Sequence, residues 1–326
     1  MKIAVTGAHG FLGSHVVDVA RDAGHEVTAL VSPWGDPARL AAHAPDPGVT
    51  LMRADVTDPA SLAGAFRDGD AVVHAAGRVA DHGPWAAFHR VNVGGTANVA
   101  REAVRAGAGR VVLVSSVAIW RYTGIHGDDP RRRPRDQHVL PYGRSKLLAE
   151  DALRGIAPEP VIVRPALWPY GPRDPNLARV AEALRRGRLP LVEGGRARLQ
   201  TVDARYLARV LVTACTHPRA ADRSYLVADR GVPTWRALFA EMAAVLGVAP
   251  PRLGLPGAAL AAVAPAVERA HALFRLPGDP LLTRYRADLM RRDVVFDAAA
   301  VESELSVVPD RPRTDALREA LAARGP

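Results

Sequence analysis

Short apolar runs alternate with longer amphipathic stretches through the first half of the chain. Ile3–Val5, Val27–Val31, Val49–Arg53, Ala71–His74, Val111–Val114 and Val161–Val163 are strand-length runs rich in Val, Ile, Leu and Ala. Between them, Ser14–Ala23 and Gly95–Ala106 repeat apolar residues at helical spacing. Strands of this kind separated by helices predict a parallel sheet buried on both faces and joined by right-handed crossovers. The pattern changes near Pro165, where Pro and Gly become dense through Trp168, Pro169, Tyr170, Gly171, Pro172 and Pro175. Helices are expected over Leu177–Arg186 and Ala204–Thr213, and a strand over Ser224–Val227. The remainder from Thr234 reads as mainly helical, with an extended piece at Asp293–Phe296.

Composition adjusts this picture in a few places. With 326 residues and 48% hydrophobic content, the chain has room for one large domain with a smaller lobe. The formal charge of +9 comes from basic residues dispersed along the chain. No aromatic-rich basic stripe accompanies them, so nucleic acid is not the expected partner. The run Asp128–Gln137, with Arg131, Arg132 and Arg133 together, reads as a solvated loop. Cys215 is the single cysteine and sits in an apolar run, so it reads as a core thiol. A chain with one cysteine fits a reducing compartment, and the expected localisation is cytoplasmic. The N-terminus enters a core strand directly, with no signal-peptide pattern. The most apolar later stretch, Ala258–Val267, contains Pro265 and runs at once into Glu268 and Arg269. It is too short for an integral membrane segment and reads as a buried or lid helix.

The candidate chemistry begins at Thr6–Gly13, where Gly7, Gly10 and Gly13 join the first strand to the first helix. Such a turn lets backbone approach a pyrophosphate without a Cβ in the way, beside the free N–H groups of a helix N-terminus. The second strand ends in Val31-Ser32-Pro33-Trp34, with no acid until Asp36. An acid there would bind the ribose of NAD. Its absence, with Ser32 and Arg39 able to meet a 2′-phosphate, leans towards NADP. Asp55, followed by Val56, is placed to bond the adenine edge.

Only two lysines occur, Lys2 and Lys146, in a chain that otherwise uses arginine. Lys146 therefore calls for something a guanidinium cannot do. It follows Tyr142 by four residues, on one helix face, where its ammonium would lower the phenol's pKa and hold ribose hydroxyls. Tyr142 then becomes a general acid or base. Ser115 and Ser116 end the fifth strand; Ser116 is the candidate to bond a substrate carbonyl, and Ser115 a strand-end cap. Asn92 either bonds backbone near the catalytic helix, holds a water, or caps a helix.

Taken in order, the glycine loop, His74-Ala75-Ala76-Gly77, Asn92, Ser116 and Tyr142–Lys146 resemble the extended short-chain dehydrogenase/reductase family. The resemblance implies a Rossmann-type doubly wound parallel sheet with a smaller, mainly helical C-terminal substrate lobe. Residues 1–166, with 200–230 returning to them, would bind the dinucleotide, and 167–199 and 231–326 would form the lobe. It further implies a catalytic set of Ser116, Tyr142, Lys146 and Asn92. The cofactor would lie against Gly7, His9, Gly10, Phe11, Leu12, Gly13, Ser32, Arg39, Asp55, Val56, Ala75, Ala76, Gly77, Tyr142, Lys146 and Pro165.

The second half resembles the 3β-hydroxysteroid dehydrogenase-like branch through Arg164-Pro165, Tyr170–Pro175, Gly187–Pro190, Pro280–Arg284 and Asp293–Asp297. The branch includes sterol dehydrogenases and reductases of β-keto acids. It departs from the usual pattern at Val202-Asp203-Ala204-Arg205-Tyr206, where the lobe joins. Leu167, Trp168, Leu253, Leu255, Leu260, Leu273 and Phe274 are candidate pocket lining, with Trp168, Arg173 and Arg284 as substrate residues. The expectation is an NAD(P)H-dependent ketone reductase acting on a hydrophobic small molecule, with no metal. An acyl-carrier- or CoA-linked substrate and a homodimer stay open. The alternatives are a nucleotide-sugar epimerase of the same fold and a non-catalytic dinucleotide sensor. A dehydratase is disfavoured because Val117 and Ala118 follow Ser116 where those enzymes place acids.

Overall fold

A computed structural model describes residues 1–43, 45–120, 125–128, 140–274 and 283–322, with backbone alone at 126–128, 272, 284, 285 and 288. The expected strands form as β1 (Lys2–Thr6), β2 (Glu26–Val31), β3 (Val49–Arg53), β4 (Ala71–His74) and β5 (Arg110–Val114). They continue with β6 (Ile125–Asp128), β7 (Val161–Pro165), β8 (Trp168–Tyr170), β9 (Leu191–Val192), β10 (Thr201–Asp203), β11 (Ser224–Val227), β12 (Gly254–Leu255) and β13 (Val294–Phe296). The helices are α1 (Phe11–Asp22), α2 (Trp85–Phe88), α3 (Gly95–Arg105), α4 (Pro141–Arg154), α5 (Pro175–Arg185) and α6 (Ala204–Thr216). After them come α7 (Trp235–Leu246), α8 (Gly257–Leu273), α9 (Arg284–Leu289), α10 (Ala299–Leu305) and α11 (Arg313–Ala322).

Seven strands make one parallel sheet in the order β3-β2-β1-β4-β5-β7-β11. The chain leaves β1 towards β2 on one side and returns to β4 on the other. That reversal opens a crevice at the C-terminal ends of β1 and β4, where such sheets bind ligands. One sheet face buries Ile3, Val5, Val73, Val112 and Val163 with α1 and α6, where Val16, Leu207 and Leu211 pack. The other buries Ala4, Val72, Val111, Leu113 and Ile162 with Val99 of α3 and Leu153 of α4. The core strands are apolar at successive positions because both faces are covered. The sheet edge departs from that expectation: among the described residues β3 has no neighbour beyond it, and its Leu51 is exposed.

A separate core gathers Leu177 and Leu184 of α5, Trp235, Leu238, Phe239 and Met242 of α7, and Leu317 of α11. The Pro-rich stretch after β7 holds a strand that its composition hides. β8 pairs in parallel with β10, linking Trp168–Tyr170 to Thr201–Asp203. No described helix is long and apolar enough to cross a membrane.

Candidate functional site

The glycine loop takes the shape its sequence implies. Gly7 has φ +67°, and a Cβ there would lie 2.7 Å from the Ala76 Cα, so the loop after β4 packs directly on it. A Cβ on Gly13 would lie 2.1 Å from the Gly7 carbonyl oxygen, so only glycine lets α1 start against the turn. The result is a crevice of about 510 Å³ lined by Thr6, Gly7, His9, Gly10, Leu30, Ser32, Trp34, Ala54, Asp55, Val56, Thr57, Ala75, Ala76, Gly77, Arg90 and Val91. The cradle fits a dinucleotide pyrophosphate, because Gly7 and Gly10 line it without side chains and Gly10, the N-cap of α1, leaves the helix start without a side-chain cap.

Of the residues expected at the cofactor, Gly7, His9, Gly10, Ser32, Asp55, Val56, Ala75, Ala76 and Gly77 line this crevice. Phe11, Leu12, Gly13, Arg39, Tyr142, Lys146 and Pro165 lie outside its lining. Leu30, Trp34, Thr57, Arg90 and Val91 line it without having been singled out. The Asp55 carboxylate is held by Thr57, accepting from its backbone N–H and its hydroxyl, both at 2.9 Å.

A directed hydrogen-bond chain ties the floor of the crevice together. Thr96 donates to the Asn92 carbonyl at 2.6 Å and therefore accepts from His74 Nε2 at 3.0 Å. Thr6 donates to His74 Nδ1 at 2.7 Å while accepting from the Ala76 N–H at 3.2 Å. His74 is thus locked as a neutral imidazole, and burial, with Lys146 nearby, pulls its pKa down to about 3.

The segment His89–Gly94 between α2 and α3 is a π-helical turn, a feature hydrophobic spacing does not reveal. It places Asn92 in the interior. Asn92 caps nothing there. Its Oδ1 accepts from the Arg78 N–H at 2.7 Å, and its Nδ2 donates to the Arg78 carbonyl at 3.0 Å and to Ser145 Oγ at 2.7 Å. Ser145 in turn donates to the Tyr142 carbonyl at 2.7 Å. Asn92 therefore clamps the loop after β4 to the helix that carries Tyr142 and Lys146.

The Ser116 hydroxyl lies near enough to the Tyr142 phenol to act on it electrostatically. Ser116 Oγ accepts from the Ala118 N–H at 3.1 Å, which leaves its own proton available to a ligand. Between Tyr142 and the loop after β4 is a slot of about 50 Å³, lined by Val79, Ala80, Asp81, Ala118, Leu140, Tyr142 and Gly143. Ser115 is no cap. Its hydroxyl donates to Glu150 at 2.6 Å, and Glu150 accepts a two-pronged Arg164 guanidinium at 2.8 and 2.7 Å, deep in the structure. Sequence reasoning missed Glu150, although it follows Lys146 by one further helical step of four.

Lys146 Nζ donates to the Val114 carbonyl at 2.8 Å. It reaches the glycine of the loop after β4: a Cβ on Gly77 would lie 3.3 Å from Nζ. Burial lowers its pKa to about 8, against the opposing charge of Glu150. The expected depression of the Tyr142 phenol is not what the geometry produces. Burial pushes that phenol up, and only the neighbouring Ser116 hydroxyl opposes it.

The substrate-half candidates separate. Trp168 packs with Trp235 and Phe239 in the lobe core, at centroid distances of 5.9 and 6.4 Å. Arg173 turns to α1: its Nη2 bonds Asp18 and, at 2.9 Å, His15 Nδ1, while Nη1 reaches the Arg39 carbonyl at 3.3 Å. The Arg284 side chain and residues 129–139 and 280–282 lie outside the described residues. Leu253, Leu273 and Phe274 are exposed, Leu255 and Leu260 half-buried, and Leu167 packs between cores. The loop after β4 meets the lobe through an Asp81–Arg286 ion pair and a His82–His271 ring contact at 5.2 Å.

Residues 3–228 match the NAD dependent epimerase/dehydratase family. Over 339 residues the chain is 28% identical to a 2-alkyl-3-oxoalkanoate reductase of Stenotrophomonas maltophilia (strain K279a), covering 99% of both. It is 26% identical to a 3 beta-hydroxysteroid dehydrogenase/Delta 5-->4-isomerase of Mycobacterium tuberculosis (strain ATCC 25618 / H37Rv), over 98% of this chain and 89% of that one. The crystal structure of Bordetella bronchiseptica WbmG in complex with NAD matches with a TM-score of 0.76 at 22% identity, over 99% of this chain and 93% of that one.

Proposed function

The chain belongs to the NAD dependent epimerase/dehydratase family and is an NAD(P)-dependent oxidoreductase of the extended short-chain dehydrogenase/reductase type; from that premise we propose that it reduces a hydrophobic ketone, a β-keto acid or its thioester, or a polyketide- or steroid-like ketone. The observation that carries this reading is the proximity of Ser116 to Tyr142 beside a slot walled largely by Val79, Ala80, Ala118 and Leu140. The nicotinamide, when bound, supplies the hydride. Tyr142 gives its proton to the carbonyl oxygen, and its raised pKa keeps it protonated at neutral pH, as a general acid must be. Ser116 offers its hydroxyl to the same oxygen and steadies the charge that builds there. Lys146 offers the donors it does not use on Val114 to the ribose hydroxyls. Asn92 holds the two walls of the site at a fixed spacing.

The arginine pattern favours a ketone over a nucleotide sugar. A sugar diphosphate needs free cations, yet among the described residues Arg173, Arg286 and Arg291 are paired with Asp18, Asp81 and Glu193. Similarity to the 2-alkyl-3-oxoalkanoate reductase and the 3 beta-hydroxysteroid dehydrogenase supports this choice of ketone class. A panel of a 3-ketosteroid, a long-chain β-keto acid, a small aldehyde and a nucleotide sugar tests the reading by net NAD(P)H consumption. Turnover of the β-keto acid or the steroid is expected. Turnover of the nucleotide sugar alone replaces the reading with an epimerase.

A further inference from the structure

Tyr142, Lys146 and Glu150 follow one another at intervals of four along α4, so they lie in one stripe of that helix. Tyr142 and Lys146 have parts in the chemistry proposed above. Glu150 has none, although it is fully buried and a buried carboxylate is costly to keep.

Three segments meet on this one carboxylate. The first is the end of β5. Ser115 donates its hydroxyl to Glu150 Oε1 at 2.6 Å, while its backbone N–H bonds the Val163 carbonyl of β7 at 2.7 Å. Ser116 follows in an extended conformation, with φ −162° and ψ 152°. Neighbouring side chains on extended backbone point to opposite sides, so Ser115 can hold Glu150 while Ser116 acts on Tyr142. A shift of Ser115 therefore moves Ser116. The second segment is the end of β7. Arg164 donates from Nε to Oε1 at 2.8 Å and from Nη2 to Oε2 at 2.7 Å. Its guanidinium lies over the Trp120 ring, 5.0 Å from the centroid. Trp120 closes the short turn Val117–Ile119, and that turn carries Ala118, whose N–H Ser116 accepts. The third segment is α4 itself. Lys146, one turn before Glu150, bonds the carbonyl of Val114, the neighbour of Ser115. Arg154, one turn after, lies 3.3 Å from Oε2 through Nη1.

An interior ion pair adds little stability over apolar groups of the same shape, and its better-attested use is to fix one arrangement among several. We propose that Glu150 is a positioning residue for the reduction: its carboxylate holds Ser116, through Ser115 and through Arg164 with Trp120, at a fixed place opposite Tyr142 and Lys146. Its charge serves the same end. Burial pulls the Lys146 ammonium down to about 8, and Glu150 is the charge that opposes the fall. The other titratable groups around Lys146 are the Tyr142 phenol of α4 and the His74 imidazole of β4, both neutral. Arg164 of β7 and Arg154 of α4 bear on Glu150. The role rests on the reading of Ser116, Tyr142 and Lys146 as the reacting set.

The test uses the scarcity of lysine. With Lys2 and Lys146 as the two lysines of the chain, NMR of isotope-labelled lysine reads Lys146 directly. Glu150→Gln alone strands the Arg164 guanidinium in the interior, so it is combined with Arg164→Met, which leaves two neutral side chains of similar length. Lys146 should titrate near 8 in the wild-type chain and at lower pH in the double variant. The ammonium is the working form, and losing an adjacent negative charge disfavours it, so the alkaline loss of kcat should move to lower pH as well. On a long-chain β-keto acid, kcat at neutral pH should fall about tenfold, the scale of a small displacement at the reacting atoms, with both KM values unchanged. Ser115→Ala keeps the ion pair and removes one tie. It should lower kcat without moving the Lys146 titration. A lowered melting temperature with kcat and the Lys146 titration unchanged makes the pair purely structural and overturns the proposal. A raised ketone KM with unchanged kcat overturns it too. Absence of ketone turnover in the wild-type chain overturns the reductase reading alone, because the Lys146 titration, read without substrate, still decides whether Glu150 acts on that ammonium.

Discussion

The crevice and the half of the chain after Pro165 are built on opposite principles. Around the crevice, short-range motifs coincide with their tertiary partners: Gly7 meets Ala76, and Thr6, His74, Thr96 and Asn92 form one directed chain. In that second half, residues that look like ligand anchors are joints. Trp168 fills a core, and Arg173 fastens the loop after β8 to α1. An arginine or tryptophan near a site is as useful for holding lobes together as for gripping a ligand. Only its partners distinguish the two uses.

The largest effect expected is at the acid. Tyr142→Phe should lower kcat about 10²–10⁴-fold, the usual worth of a positioned proton donor, with dinucleotide affinity unchanged. Stopped-flow turnover with parallel binding measurements checks this, and a variant with wild-type kcat removes Tyr142 from the chemistry. Next is Lys146→Arg. The broader guanidinium cannot sit between the Val114 carbonyl and Gly77 as the ammonium does, and a displaced ribose should cost on the order of 10²-fold in kcat/KM. Full activity with an unchanged cofactor KM contradicts the argument.

The comparison itself is sharpened at Arg173. If it is a joint, Arg173→Ala should destabilise the fold by about 1–3 kcal/mol, a buried-pair loss reduced because both partners retain some exposure. The ketone KM should be unchanged. A raised KM with an unchanged melting temperature would return Arg173 to the substrate site.

How far the sequence reaches follows from the same contrast. The sheet strands, the three glycines and the Tyr142–Lys146 pair are legible because period, turn chemistry and helical spacing are local. The pairing of β8 with β10 and the π-helical turn around Asn92 are not, since no local period announces them. Arg173 bonds Asp18 across 155 positions of sequence, and Ser115 meets Glu150 only because β5 lies against α4. The expected depression of the Tyr142 pKa failed for a related reason. Spacing places Lys146 on the correct face, but it does not say that the ammonium turns to Val114 or how deeply the phenol is buried.

A further effect concerns pH. His74 has a folded pKa of about 3 against 6.5 when free. Between those values the unfolded chain binds a proton that the folded chain refuses. The cost is absent above pH 6.5 and grows as pH falls, by about 1.4 kcal/mol per unit. His74→Gln should therefore flatten the loss of stability between pH 6 and 4, read by urea unfolding. An unchanged slope would mean that the Thr6–His74–Thr96 chain does not hold the ring neutral.

The most direct test of the central claim follows the hydrogen itself. The protein is incubated with NADPH deuterated at the transferred position of C4 and a long-chain β-keto acid, and the product is examined by mass spectrometry. The account predicts a 3-hydroxy acid carrying one deuterium on the former carbonyl carbon, formed in step with dinucleotide oxidation and lost in Tyr142→Phe. A product without deuterium, or the same yield from Tyr142→Phe, contradicts it.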